Sequence, residues 1–300
     1  MNTDLNTLLT TLYVHLDDRI LPAVGFTREH HPGRKPALND AELLCLLVAQ
    51  QLLGIASDRR WIRYARAHLL DMFPHLPQQS GWGKRVRHAS GLLAAVITEL
   101  ARDTPSWTEN TRLLDSTPLP CGTSRETAKR SDLVGHAGYG YCASHSRYFW
   151  GFRLYLLCAP DGMPIVWGLA NPKIGEREVT QALLDHDRHL VRPGQTIVAD
   201  KGFAGADFDR FIHDELGAAL VRPDRKNEQP RFGKLGGIRQ WVESVFDTMK
   251  GQLTLEDHGG RTIAGVYSRV AARLLALASA IWHNWLTDQP NKRSLTAYDH

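Results

Sequence analysis

Leu5, Leu8, Leu9, Leu12 and Leu16 recur at the spacing of one helical face, and the same rhythm governs the chain to about residue 105. After the breaker-rich stretch HHPGRKPALND, Asn39 stands three residues before Glu42, the spacing of a reciprocal N-terminal cap. It opens the apolar run ELLCLLVAQQLLG, which stops at Gly54. Asp58 to Met72 and Gly91 to Arg102 continue the helical pattern, and the polar, proline-containing linker DTPSWTEN ends it. Beyond about residue 110 the pattern becomes short apolar runs alternating with helical ones. LLDSTPLP, FWGFRLYLLCAP and PIVWGLANP read as strands, with Asp161 and Gly162 as a tight turn between the last two. Glu176 to His189 reads as a helix, QTIVAD as a fourth strand, Gly205 to Leu216 as a helix, AALVRP as a fifth strand and Ile238 to Gln252 as a helix. Three antiparallel strands followed by two reached through helical crossovers predict a mixed five-stranded sheet with flanking helices. The expected class is therefore α/β, with a helical region over residues 1–105 ahead of a sheet domain over 110–300. Ile263, Val266, Val270, Leu274, Leu277 and Ile281 predict a last helix packed as core against that sheet.

Composition narrows the class without fixing it. The chain has 300 residues, 43% hydrophobic and 23% charged, which is ordinary for a folded globular protein and excludes disorder as its dominant state. Ile263 to Leu286 is the longest apolar stretch, but Arg269, Arg273 and His283 interrupt it, so it reads as a buried helix and no membrane partner is expected. The N-terminus carries Asp4 and lacks a basic start and a cleavage site, so a cytoplasmic location is expected. Cys45, Cys121, Cys142 and Cys158 lie far apart and read as packed thiols. With 36 Lys+Arg against 32 Asp+Glu the net charge is only +4, so the placement of the charges matters more than their sum.

Three acids stand out by position. Asp115 lies inside the first strand among Leu113, Leu114 and Leu119, where a carboxylate is costly unless a cation offsets it. Asp200 closes the fourth strand, at the carboxyl end where α/β sheets bind ligands. Glu243 shares a helix with Trp241, Val242, Val245 and Phe246, which can lay one carboxylate over the sheet. With the first and fourth strands adjacent, these oxygens converge, and hard oxygen donors without His or Cys select Mg²⁺ or Mn²⁺. Each acid also has an ordinary explanation: Asp115 capping a turn with Ser116, Asp200 capping the turn after it, and Glu243 simply solvated. Arg239 and Lys250 fall one and two helical turns from Glu243, a spacing that suits a phosphodiester grip or a surface ion-pair row.

Asp115 in LLDSTPLP, Asp200 in VADKGF and Glu243 in RQWVESVFDTMKG resemble the acidic triad of the insertion-sequence DDE transposases. The spacing Arg239, Glu243, Lys250 is similar to the Tyr-Arg-Glu-Lys signature of one large group of them, with Gly236 standing where that signature has tyrosine. The resemblance covers about residues 110 to 255. It implies an RNase H-like catalytic domain, two divalent ions about 4 Å apart held by Asp115, Asp200 and Glu243, cleavage of element ends by water, and strand transfer by the freed 3′-hydroxyl. It also implies double-stranded DNA as partner, both terminal inverted repeats and target, and a homodimer in the synaptic complex, with the protein at the nucleoid. An RNase H-like nuclease without strand transfer and a DNA-binding protein that has lost catalysis are the alternatives.

Basic residues mark where DNA would lie. Arg59 and Arg63, with Arg60 and Arg66, fall on one helical face interleaved with Trp61 and Tyr64, and Lys84, Arg85, Arg87 and His88 follow. These suit phosphate contacts or a solvated face with the aromatics packed inward. Lys201 adjoins Asp200. Arg222, Arg225, Lys226, Arg231 and Lys234 fill a loop leading into the Glu243 helix, where DNA contact is expected. Arg125, Lys129 and Arg130, then His136, Tyr139, Tyr141, His145 and Tyr148, form a glycine-containing segment read as a polar connection or a DNA track.

Overall fold

The computed structural model describes residues 4–25, 36–142, 146–224, 228 and 236–298, and for Gly236, Ile238 and Arg239 the backbone alone. The chain forms two compact units. The first comprises Met1–Asp103, Met249–Gly260 and Ala264–His300, and the second comprises Thr104–Thr248 and Arg261–Ile263.

In the first unit, α1 (Leu5–His15) starts where Asp4 accepts the Thr7 amide N–H at 2.8 Å, and it runs through a π turn into α2 (Leu21–Val24). Leu5, Leu8, Leu9, Leu12 and Leu16 are all buried, as their spacing requires. α3 (Asp40–Leu52) opens on the Asn39–Glu42 capping box, with both reciprocal bonds at 2.7 Å. α4 (Asp58–His68) is capped by Ser57, and α5 (Gln79–His88) and α6 (Ser90–Arg102) follow. Gly81 and Gly83 weaken the helical signal of α5, and burial of Trp82 and Val86 restores it.

The second unit is built on β1 (Thr111–Gly122). After the short α7 (Arg125–Arg130) come β2 (Gly138–Cys142), β3 (Arg147–Cys158) and β4 (Pro164–Ala170), then α8 (Glu176–His186), β5 (Thr196–Ala199), α9 (Ala206–Arg210) and β6 (Ala219–Val221). α10 spans Gly236–Gly251. β1 pairs antiparallel with β3 and parallel with β5, β5 pairs parallel with β6, and β4 pairs antiparallel with β3. The order β4-β3-β1-β5-β6 is the expected mixed five-stranded sheet. It gains a sixth strand, β2, in the segment read as a connection; β2 pairs with the other half of β3. The sequence hides it because glycine argues against a strand. Here Gly138 and Gly140 leave the room that Asn171, Phe149 and Pro172 occupy, since a Cβ would stand 2.3 Å from Asn171 Oδ1 and 2.6 Å from Phe149 Cζ.

From Ala264 onward α11 (Ile263–Leu286) belongs to the first unit. Every residue from Val270 to Asn284 is buried, so the helix is covered all round, and a stripe of apolar spacing cannot say which partner covers it. By length and composition α11 is apolar enough to cross a membrane, and in the folded chain it is core. Arg269 pairs with Asp58 at 2.6 Å, and the buried Arg273 donates to the Leu253, Thr254 and Arg269 carbonyls.

Candidate active site

The register of β1 against β5 brings two of the three acids together. Leu114 is the Cα partner of Ala199, and the next residue on each strand is the acid, Asp115 and Asp200. β5 stops there, while β1 continues with Asp115 paired to Leu156 of β3. Asp115 Oδ1 accepts the Ser116 amide N–H at 2.7 Å, and Asp200 Oδ1 accepts the Lys201 amide N–H at 2.7 Å, capping a 3₁₀ turn over Lys201–Phe203. The ordinary capping roles are thus present, and they fix the two carboxylates rather than replace another use for them. α10 completes the group: Val242 and Glu243 line one small cavity with Leu113, Leu114, Asp115, Val198, Ala199 and Asp200.

Burial pushes the Asp115 carboxyl from its usual 3.8 up to about 7; the Ser116 amide bond opposes this, the Asp200 and Glu176 carboxylates add to it, and Arg153 opposes it. Among the described residues, no three His, Cys, Asp or Glu side chains are gathered closely enough to hold a metal as they stand. The donor set nonetheless fits a hard divalent cation. The cavity offers carboxylate oxygens without His or Cys, and a cation there would offset the burial that chiefly raises Asp115 and the Asp200 charge that adds to it.

The profile of the transposase DDE domain matches residues 106–278. The chain belongs to this family. The matched stretch contains Asp115, Asp200 and Glu243 and ends inside α11. Among solved structures, a pre-cleavage Mos1 transpososome is similar at 11% identity and TM-score 0.25, over 90% of this chain and 82% of that one. A Mos1 mariner paired end complex with Mn is similar at 12% identity and TM-score 0.25, over 92% and 85%. That likeness is too slight to bear on this chain's chemistry. A search of curated proteins finds no match.

Two residues that sequence reasoning passed over stand beside the acids of this DDE domain. Glu176, the first residue of α8, accepts the Ser116 hydroxyl at 2.9 Å, and Arg153 of β3 donates to that hydroxyl at 2.8 Å and to Glu176 Oε1. The next residue, Arg177, donates to the Ala204 carbonyl at 3.1 Å, just past the turn that Asp200 caps. A cation inside the apolar run FWGFRLYLLC is the same anomaly that singled out Asp115, and it was the available signal for Arg153.

The expected DNA contacts of the transposase fall in different places. Lys201 is exposed immediately after Asp200, and Lys250 is half-buried near the end of α10. Arg59 and Arg63 are exposed on α4, and Trp61 is buried under them. Arg225 and Lys226 lie outside the described residues, as does the side chain of Arg239. Two cations counted in the basic clusters serve the fold instead. Arg85 binds Asp40 at 2.9 Å and the Leu38 carbonyl at 2.8 Å, and the buried Arg222 grips both Glu228 oxygens at 2.7 and 3.0 Å.

Proposed function

We propose that this transposase cleaves DNA at the ends of its element and joins the freed 3′ ends to target DNA. The observation that carries the reading is the convergence of Asp115, Asp200 and Glu243, from three distant parts of the sequence, on one cavity beside the middle of β1 and the carboxyl end of β5. Asp115, Asp200 and Glu243 are the residues that would hold Mg²⁺ or Mn²⁺, two ions in the full site. Such ions, when bound, supply Lewis-acid polarisation of a phosphodiester and a more acidic attacking water. The chain's own residues do the rest. The amides of Ser116 and Lys201 orient the two aspartates, Arg153 and Glu176 hold Ser116, and Lys201 offers a phosphate contact next to Asp200. Arg239, Lys250, Arg225 and Lys226 are proposed to grip DNA near the cut, and Arg59 and Arg63 to hold the terminal repeat from the helical region. Handling two ends at once calls for a homodimer at the moment of reaction.

The test uses DNA carrying both element ends, with Mg²⁺. Asp115→Asn, Asp200→Asn and Glu243→Gln should each abolish cleavage and retain DNA binding, and intact cleavage in any of them removes that residue from the site. A precut end with a free 3′-hydroxyl then distinguishes a transposase, which gives joined product, from a nuclease, which gives none.

A further inference from the structure

We infer that the paired strands β2 and β3 carry a stacking face for unpaired DNA bases, formed by Tyr139, Tyr141 and Tyr148. These rings are 52%, 47% and 77% exposed, in a protein whose other large aromatics are mostly buried. Tyr141 is directly opposite Tyr148, and Tyr139 opposite Trp150, so all four project from one face of the ribbon. The rings of Tyr141 and Tyr148 lie 4.9 Å apart and tilted by 50°, as a preformed pair. Gly138 and Gly140, on the opposite face, let β2 sit hard against Asn171, Phe149 and Pro172, which leaves the tyrosine side outward.

That face is also the face of the acids. Side chains alternate along β3, and Tyr148, Trp150, Phe152, Leu154 and Leu156 share one side of it. Leu156 is the partner of Asp115, whose side chain therefore projects from the same side of the sheet. From Leu156 to Tyr148 the strand covers roughly 26 Å at about 3.3 Å per residue, less than one turn of B-form DNA at about 34 Å. A DNA end engaged at Asp115 can thus reach the tyrosines. The charge agrees: at Gly122, the partner of Trp150, a Cβ would touch both Thr127 of α7 and Trp150, which sets α7 on this same side. α7 exposes Arg125, Lys129 and Arg130 there against the single acid Glu126. Cations tracking a backbone beside open aromatic faces fit single-stranded nucleic acid. Bases inside a duplex already stack on each other and offer no face to a tyrosine.

The inference rests on the DNA-processing role proposed above but is tested apart from it, on the full chain without metal. The probe is a fluorescently labelled oligothymidine of about 12 nucleotides, within the roughly 4–16 that such faces cover, read by anisotropy beside a duplex of equal length. Tyr141→Ala and Tyr148→Ala should each weaken single-strand binding about tenfold and leave duplex binding within about twofold. Tyr→Phe at the same positions should restore it, because the ring is kept. Unchanged single-strand affinity in the alanine variants overturns the inference, as does equal loss for both probes. Cleavage is read separately, with Mg²⁺ on DNA carrying both element ends, so an absence of cleavage by the parent protein refutes the proposed reaction without touching this result.

Discussion

Asp115 and Asp200 are held in the same way on neighbouring parallel strands, each fixing Oδ1 on the amide N–H of its own following residue at 2.7 Å. The arrangement is pre-oriented but electrostatically unfavourable without a cation, and this has a measurable signature.

Raised from 3.8 to about 7, Asp115 favours the folded state when protonated. Its contribution is full below about pH 4 and is lost as the pH rises through about 7. In EDTA, the Tm of the parent chain should therefore fall relative to that of Asp115→Asn between about pH 5 and pH 8. Mg²⁺ should raise the parent's Tm more at pH 8 than at pH 5, because protons compete for the same oxygens. Parallel Tm profiles for the two proteins would contradict the shift.

Arg153 sits half-buried with Ser116 and Glu176, so its loss strands a carboxylate beside Asp115. Arg153→Ala should cost about 2 kcal/mol in urea unfolding, below the 3–5 of a fully buried pair because both groups keep some solvent. Adding Glu176→Gln should recover part of that loss. Strict additivity of the two changes would mean the pair is not coupled.

Gly151 tests the β1–β3 register. A Cβ there would stand 2.1 Å from the Leu119 carbonyl oxygen, which is backbone and cannot swing aside. Gly151→Ala should destabilise by at least about 3 kcal/mol. Gly91→Ala, exposed on α6 with nothing within 4 Å, should instead stabilise by about 0.5–1 kcal/mol in the same assay.

In the first unit, the Tyr298 hydroxyl donates to Asn284 Oδ1 at 2.8 Å and lies 2.8 Å from His283 Nδ1, with both partners buried. Tyr298→Phe keeps the ring and leaves these polar atoms unmatched, so thermal unfolding should show a loss of about 1–3 kcal/mol.

Periodicity and capping made the helical first hundred residues and the five principal strands legible, because those signals are local: the Asn39–Glu42 box and the Asp161–Gly162 turn each need only a few residues. Asp115 stood out for a different reason, as a charge placed where the pattern demands apolar groups. What stayed hidden depended on partners far away in sequence. β2 reads as a strand only once Asn171 and Phe149 fill the space its glycines leave, and Glu176 looks like any helix-opening acid until Arg153 and Ser116 meet it. The partner of α11 was not legible either, since a helix covered on every side carries no directional pattern.

The first unit is discontinuous along the chain, and the sheet unit is a guest inserted into a helical host. During synthesis the guest can close on its own contacts soon after β6 and α10 emerge. The host's opening helices must wait with their apolar faces uncovered until α11 has been made. Truncation just after the matched sheet elements would therefore spare the sheet itself and leave the opening helices as an aggregation-prone remnant.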